Sequence, residues 1–421
     1  MNYFITRLRY LIATKIKSFT FPLFFYLFTR LNIPSEIVNF FLFSIVPKRN
    51  KSNYSKNILF LEKGIFNDEV KEVFSDEKFK LLQLNRKFTK KLSNFCFQTK
   101  VNQHNFKIVR GNKKHLEKFR FYLKKAFKGL NAQLFVTFNF GSEEDEVILH
   151  LKKLKIPSIC LHKEGLMTRG EYDDYVKILS RRMKFPGEKI LVYNENIKKI
   201  LIKHQKHNSN NLVICGSPRF DKILKAKNVL KHKKIIMFLP GLYKSLPSQL
   251  GISSEMSWNI LCKDFLSLVK VLSKDLHDYK FFLKSKSRDY ELMKDDLKNL
   301  KGPNIMIDTK TLASDLLKNS SFSIGFNSMA LIESACYRIP TANCIFGEAK
   351  NVKYKKYIHN YGSLIKNVYS INSAVKYVKK TLSINVTKTI SKQNKKILDK
   401  LIGNSEGDSI IRIRREIDKI I

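Results

Sequence analysis

The stretch Ser321–Pro340, SFSIGFNSMALIESACYRIP, predicts a short strand, a tight polar turn and a helix that opens on Asn327 and Ser328. Ile332, Ala335 and Cys336 mark the buried stripe of that helix. Glu333 lies about one turn into it. A helix that begins at a strand end, with small polar residues at its mouth, is a ready anion site. Its first backbone N–H groups lack partners within the helix, and the helix dipole adds positive potential. Asn327 and Ser328 can each cap the helix or donate to a phosphate oxygen. Glu333 can accept a pair of ribose hydroxyls. An ordinary capped core helix with a solvated glutamate fits the same residues, so the neighbouring segments decide between the two readings.

On both sides of this stretch, short apolar runs alternate with helical patterns. The first series is NILFLEKG (57–64), FKLLQLN (79–85), LFVTFNF (134–140), PSICLHKEG (157–165), KILVYNE (189–195) and LVICGSP (212–218). Helical spacing fills several gaps, as in residues 115–130 and 144–154. After a polar link near Lys225–Lys234 a second series begins. It comprises KKIIMFLPG (233–241), YKFFLKSK (279–286), NIMIDTK (304–310), FSIGF (322–326), PTANCIF (340–346) and SLIKNVY (363–369). Near-continuous β-branched strands between helices predict parallel α/β sheets. Two consecutive doubly wound halves, 57–228 and 229–421, predict a pair of Rossmann-like domains facing a cleft, with ligands at the strand C-termini. The final segment reads as helix, turn, helix.

Several loops are therefore expected at ligand-facing strand ends. Lys284 and Lys286 follow one strand, and Lys244 lies in the loop after another. Their ammonium groups suit phosphate, although lysines are numerous enough to fall there by chance. His162 and Glu164, in HKEG at 162–165, can act as general base toward an acceptor hydroxyl; a charged surface turn fits as well. In GSPRFD at 216–221, Gly216 and Pro218 shape a turn, and Arg219 is placed to pair with Asp221 or meet an anion. A hinge role is the simpler reading of that motif.

The chain has 421 residues, with 79 Lys+Arg against 36 Asp+Glu, a net charge of +43. This excess favours anionic partners or reflects many solvated lysines spread along the chain. Six cysteines without a C-x-x-C spacing read as buried thiols, not a disulfide frame or a zinc site. No P-loop, G-x-G-x-x-G, H-E-x-x-H, G-x-S-x-G or D-x-D motif occurs, which disfavours the corresponding nucleotide hydrolase, dehydrogenase and zinc chemistries. Residues 1–56 stand apart as an apolar and basic helical extension. SFTFPLFFYLFT (18–29) and IVNFFLFSIVP (37–47) are each shorter than the roughly 18–20 residues a spanning helix needs. Arg7, Arg9, Lys15, Lys17, Arg30, Lys48, Arg49, Lys51 and Lys56 surround them. That arrangement predicts attachment to the anionic inner face of the plasma membrane, with packing on the main body as the alternative.

At HKEG (162–165), VYNE (192–195), GSPRFD (216–221), KSK (284–286) and GFNSMALIESACYRIP (325–340) the chain resembles bacterial glycosyltransferases of the two-Rossmann GT-B fold that build surface and capsular polysaccharides. The nearer resemblance is to proteins allied to the CDP-glycerol glycerophosphotransferases. It extends over residues 57 to about 415 in motif order. The resemblance implies a metal-independent transferase with no bound cofactor, its donor nucleotide in the C-terminal half and its acceptor in the N-terminal half. Carried over by motif, Asn327 and Ser328 hold donor phosphate and Glu333 the ribose. Lys284 and Lys286 stand where relatives often carry a His-Pro pair. The function implied is sugar transfer from a nucleotide donor to a surface glycan or its lipid-linked precursor, at the cytoplasmic side of the membrane. A CDP-linked polyol-phosphate transferase is the alternative. A sugar-nucleotide epimerase and a nucleic-acid-binding protein are weaker ones, the last lacking any recognised nucleic-acid motif.

Overall fold

Each apolar run in the two series becomes a parallel strand. The computed structural model describes residues 20–46, 55–64, 66–102, 104–162, 165–226, 232–240, 258–285, 287–300, 302–384 and 390–421. The chain divides into two compact units. The first comprises Met1–Gly165, Lys177–Pro218 and Asp408–Ile421; the second comprises Leu166–Val176 and Arg219–Gly407.

The first unit holds a seven-stranded sheet of β1 (Phe43–Ile45), β2 (Lys56–Leu61), β3 (Phe79–Leu84), β4 (Leu134–Thr137), β5 (Ser158–Leu161), β6 (Lys189–Val192) and β7 (Leu212–Ile214). Its spatial order is β1-β3-β2-β4-β5-β6-β7. All pairings are parallel except β1 with β3, where Phe43 faces Leu84 and Ile45 faces Leu82. The order reverses direction between β2 and β4. Residues on β4 and β5 are buried throughout, as strands covered by helices on both faces must be.

The second unit holds a six-stranded, all-parallel sheet: β8 (Lys234–Phe238), β9 (Lys280–Lys284), β10 (Ile305–Asp308), β11 (Phe322–Gly325), β12 (Thr341–Cys344) and β13 (Lys366–Val368). Its order is β10-β9-β8-β11-β12-β13, the Rossmann order 3-2-1-4-5-6, with its switch point between β8 and β11. Apolar clusters cover both faces. One is built on Phe265, Leu268, Phe281 and Ile324, the other on Ile236, Leu331, Tyr361 and Leu398.

Two boundaries expected from the sequence are corrected. The described part of the 1–56 extension is part of the first unit. Residues 20–30 and Ser35–Leu42 are helical, and β1 follows as an edge strand of the sheet. Phe24 and Phe28 are buried, and their rings meet Phe41, Phe88 and Tyr122. Tyr122 also donates to the Thr29 carbonyl at 2.8 Å. Burying an aromatic side chain contributes about 1.5–3 kcal/mol, which accounts for this docking. Arg7, Arg9, Lys15, Lys17, Lys48, Arg49 and Lys51 lie outside the described residues. Among the described residues, no helix is long and apolar enough to cross a membrane.

The second correction concerns the C-terminus. The helix Ser409–Asp418 belongs to the first unit, not to the half that precedes it in sequence. Ile413 and Ile417 join the core of that unit. Arg414 donates to the carbonyls of Val73 and Glu72, and Lys189 pairs with Glu416. Conversely, Leu166–Val176 is assigned to the second unit. All six cysteines are buried and none is in a disulfide, in keeping with their apolar surroundings. Burial pushes the thiols of Cys96, Cys215 and Cys262 up to about 12.

Candidate functional site

In the second unit the mouth of the helix Met329–Cys336 lies at the C-terminal end of β11, beside the switch point of the sheet. The backbone there is tight for a local reason. A side chain at Gly325 would place its Cβ 3.0 Å from the Phe238 Cβ and 3.1 Å from the Leu331 Cδ2. Two residues on, Asn327 adopts a left-handed φ of 50°, which asparagine tolerates better than most residues. Ser328 is the N-cap: its Oγ accepts from the Ala330 N–H at 3.3 Å. Its hydroxyl proton is left to donate outward.

Asn327 plays a more internal part than its sequence position suggests. Its Nδ2 donates to the Tyr357 carbonyl at 2.6 Å, and its Oδ1 accepts the His359 N–H at 2.8 Å. Its backbone N–H donates to Asn343 Oδ1 at 3.1 Å. Both ends of the amide are thus engaged, and Asn327 fastens the 357–359 segment to the helix mouth. Tyr361 adds a second fastening by donating its hydroxyl to the Ser328 carbonyl at 3.3 Å.

Glu333 is buried, 8% exposed, which overturns the reading of a solvated glutamate. Burial pushes its carboxyl above the ordinary range, and Arg219 counters part of that rise. An Arg219 Nη1 stands 3.8 Å from Glu333 Oε1. Arg219 therefore reaches from GSPRFD to the helix that bears Ser328, a partner not foreseen in the sequence. Gly216 takes a φ of 81°, and Pro218 opens the next helix, where its missing N–H costs nothing. The chain passes from the first unit to the second between Pro218 and Arg219.

Lys284 ends β9 as expected, but its ammonium lies 3.4 Å from Asp308 Oδ1 at the end of the neighbouring β10. Burial raises the Asp308 carboxyl, while bonds from Thr311 and Lys284 more than offset it and leave it below its usual range. Lys284 is thus held by a carboxylate in this state. Lys244 and Lys286 lie outside the described residues.

In the first unit, His162 follows β5 and is completely buried, its ring 5.9 Å from that of Phe140. Lys163 and Glu164 lie outside the described residues. Gly165 explains why HKEG and VYNE occur together. A Cβ on Gly165 would lie 1.9 Å from Tyr193 Cδ2. Its carbonyl accepts from Asn194 Nδ2 at 2.6 Å, and Asn194 Oδ1 caps the helix Glu195–Gln205 by accepting the Ile197 N–H. The two motifs form one interlocked turn.

Two clusters escaped the sequence reading. Glu143, Glu144, Asp145 and Glu146 follow β4 at the switch point of the first sheet, and all four are buried. Arg110 and Arg120 hold Glu146 at 2.5 and 2.7 Å. Asp145 accepts the Gly141 N–H at 2.9 Å, and burial still drives its carboxyl well up. Four successive acids in so basic a chain were a visible signal; their burial was not. The second is His359, also buried, whose imidazole is pulled down to about 4 by burial. The unfolded chain takes up that proton first, near pH 6.5. Its contribution to stability is therefore present above about pH 6.5 and is lost as pH falls toward 4. His359→Phe is expected to flatten that acid arm in urea unfolding; an unchanged arm would place the histidine elsewhere. Among the described residues, no three His, Cys, Asp or Glu side chains converge as metal ligands.

No protein-family model matches this chain, and no curated protein matches it in sequence. Solved structures do. A UDP-GlcNAc 2-epimerase from Neisseria meningitidis, bound to UDP-GlcNAc, is similar at TM-score 0.51 and 10% identity, over 86% of this chain and 99% of that one. A second UDP-N-acetylglucosamine 2-epimerase matches at 0.51 and 11% identity, over 87% of this chain and 95% of that one. The wall teichoic acid polymerase TagF matches at 0.50 and 12% identity, over 98% of this chain and 97% of its own. Identities this low establish a fold and nothing finer. That fold is the expected α/β class, with two sheets of mostly parallel strands in the manner of GT-B enzymes.

Proposed function

We propose that the protein is a transferase that moves a sugar from a nucleotide-activated donor to a hydroxyl of a bacterial surface polysaccharide or its lipid-linked precursor. The observation that carries this reading is the Ser328 helix mouth at the Rossmann switch point, with a buried carboxylate, Glu333, one turn behind it. Strand order, helix dipole and hydroxyl donor all favour a phosphate there. Glu333 then accepts from the ribose hydroxyls, with Arg219 steadying its charge. Neighbours of this fold include proteins solved with UDP-GlcNAc or acting as a teichoic acid polymerase, which supports a nucleotide-linked donor.

In the transfer, the acceptor oxygen bonds to the anomeric carbon as the bond to the nucleotide phosphate breaks. Charge grows on the leaving phosphate. N–H donors at the helix mouth and the cations Lys244, Lys284 and Lys286 stabilise it there, which requires Lys284 to leave Asp308. The HKEG turn supplies the base that takes the acceptor proton. Complete burial of His162 favours Glu164 for that role. Polyol-phosphate transfer from a CDP-linked donor is the second reading, favoured by the end-to-end likeness to TagF. Incubating the protein with membranes and labelled UDP-sugars, CDP-glycerol or CDP-ribitol separates the two. Label entering polymer from a UDP-sugar supports the first, from a CDP-polyol the second, and from neither overturns both.

The acceptor reading places the enzyme at the inner face of the plasma membrane. Leu23, Tyr26, Ile37 and Phe40 point outward from the two N-terminal helices, and Arg30, Lys91, Lys118 and Lys125 lie around the aromatic rings of the same region. Apolar side chains ringed by cations suit an anionic bilayer. The full chain is expected to float with anionic liposomes and to be released by Leu23→Ser with Tyr26→Ser. A protein that stays at the bottom of the gradient would remove this element. Nucleic acid is not the anion intended; a salt-sensitive gel shift at ~0.15 M would contradict that.

A further inference from the structure

We propose that the groove between the helices Lys113–Ala126 and Glu144–Lys153 seats one anionic phospholipid molecule, its phosphate on Lys124 and Lys153 and a hydrocarbon chain along Phe121, Leu149 and Leu154. The inference rests on the membrane reading above and adds a discrete lipid seat to it. The groove lies wholly within the first unit and encloses about 580 Å³, inside the range of ~300–1,000 Å³ usual for ligand sites. Arg120 on the first helix bonds Glu146 on the second at 2.7 Å, and one turn further along both helices Lys124 acts on His150. The two helices therefore run side by side in the same direction, with the groove between them.

Charge is sorted along this groove. At its start Glu117 stands with the Arg120–Glu146 pair, and Arg110 also holds Glu146, so cations and carboxylates offset one another. At its far end Lys124 and Lys153 flank His150, and neither lysine has an ion-pair partner among the described residues. Burial, followed by these two cations, keeps the His150 imidazole below its ordinary value, so it is a neutral wall at pH 7. Lysines in a last turn also complement the helix dipole, but that role needs no apolar groove between them. Phe121 is 63% exposed and Leu154 43%. Apolar side chains gathered on one groove, not scattered singly, mark a surface that something covers.

Charge and continuity choose the occupant. The Phe121 ring meets that of Tyr122 at 5.4 Å, Tyr122 donates to the Thr29 carbonyl, and Lys125 donates to the carbonyls of Phe28 and Leu31. The basic end of the groove thus adjoins the end of the helix at residues 20–30, beside exposed Leu31. This is the aromatic and cationic face to which the membrane reading assigns an anionic bilayer. A phospholipid brings an anion for the two lysines and a chain for the apolar wall. Residues 1–19 of the same chain suit the seat poorly, since they carry Arg7, Arg9, Lys15 and Lys17 and no acid. A second copy, at a net charge of +43, is repelled as well.

The test is calorimetry of the full chain with short-chain phosphatidylglycerol below its micelle concentration, beside phosphatidylcholine of the same chains and glycerol phosphate without chains. Thermal melting of each variant verifies that it folds. Wild type is expected to bind one phosphatidylglycerol per chain, with the other two compounds about tenfold or more weaker. Lys124→Gln with Lys153→Gln changes two exposed side chains and is expected to weaken phosphatidylglycerol about tenfold or more. Leu149→Trp, which fills the groove, is expected to do the same. Leu23→Ser with Tyr26→Ser lies outside the groove and is expected to keep wild-type affinity for the free lipid while losing flotation with anionic liposomes. No binding by wild type, equal affinity for glycerol phosphate, or unchanged affinity in both groove variants would overturn the seat and leave flotation to decide the membrane reading. Self-association in light scattering that Leu149→Trp abolishes would overturn it in favour of a second copy. A wild type that binds the free lipid yet does not float would keep the seat and remove the bilayer attachment.

Discussion

Ser328→Ala combined with Glu333→Ala is expected to abolish detectable nucleotide binding and to lower transfer by on the order of 10²–10³-fold or more. The first change removes the hydroxyl that caps the helix by accepting the Ala330 N–H and that is assigned to donate to the phosphate. The second removes the carboxylate assigned to the ribose and leaves Arg219 without the partner 3.8 Å away. The first change carries a fold cost of its own, since losing an N-cap costs about 1 kcal/mol. Circular dichroism and melting therefore have to accompany the titrations. Glu333→Gln is the informative single variant. It keeps the shape and an acceptor while removing the buried charge, so it is expected to weaken binding without loosening the helix. Nucleotide affinity unchanged in the double variant would mean that the site lies elsewhere.

The second large effect falls on stability. Gly165→Val is expected to cost at least the upper part of the ~1–3 kcal/mol usual for overpacking. Even the first carbon of the new side chain would overlap the Tyr193 ring, at 1.9 Å from Cδ2. Tyr193 is 4% exposed and has little room to move away. Its displacement would also strain the Asn194 bond to the Gly165 carbonyl and with it the cap of the following helix. Urea unfolding reads the loss directly. A companion change, Tyr193→Ala with Gly165→Val, is expected to recover part of it, because the ring is the obstacle. Wild-type stability in Gly165→Val alone would refute the interlock of the two motifs.

Legibility in the sequence followed a physical divide. Strands covered on both faces need continuous apolar, β-branched runs, and all twelve such runs became parallel strands within a few residues of their expected bounds. The Ser328 turn was equally legible, because a capped helix after a strand is a local pattern. What escaped depends on tertiary packing. β1 hides inside an apolar run that also forms the helix before it, and only pairing with β3 reveals it. The last helix reads as a continuation of the second half, yet Ile413 and Ile417 pack in the first unit. Lys284 looked like a free cation until β10 brought Asp308 beside it. His359 carries no motif at all. Its position follows from two side chains of the Asn327 and Tyr361 turns, which no local pattern records.

The account stands most directly on whether the second unit takes a nucleotide. Thermal melting of the full-length protein with CMP, CDP, UDP and GDP, each near 100 times a micromolar affinity, measures this without knowing sugar or acceptor. One nucleotide alone is expected to raise the midpoint, corresponding to about 2.7 kcal/mol at that saturation, and the rise is expected to vanish in Ser328→Ala with Glu333→Ala. No shift with any of the four, or an equal shift in the double variant, would contradict it.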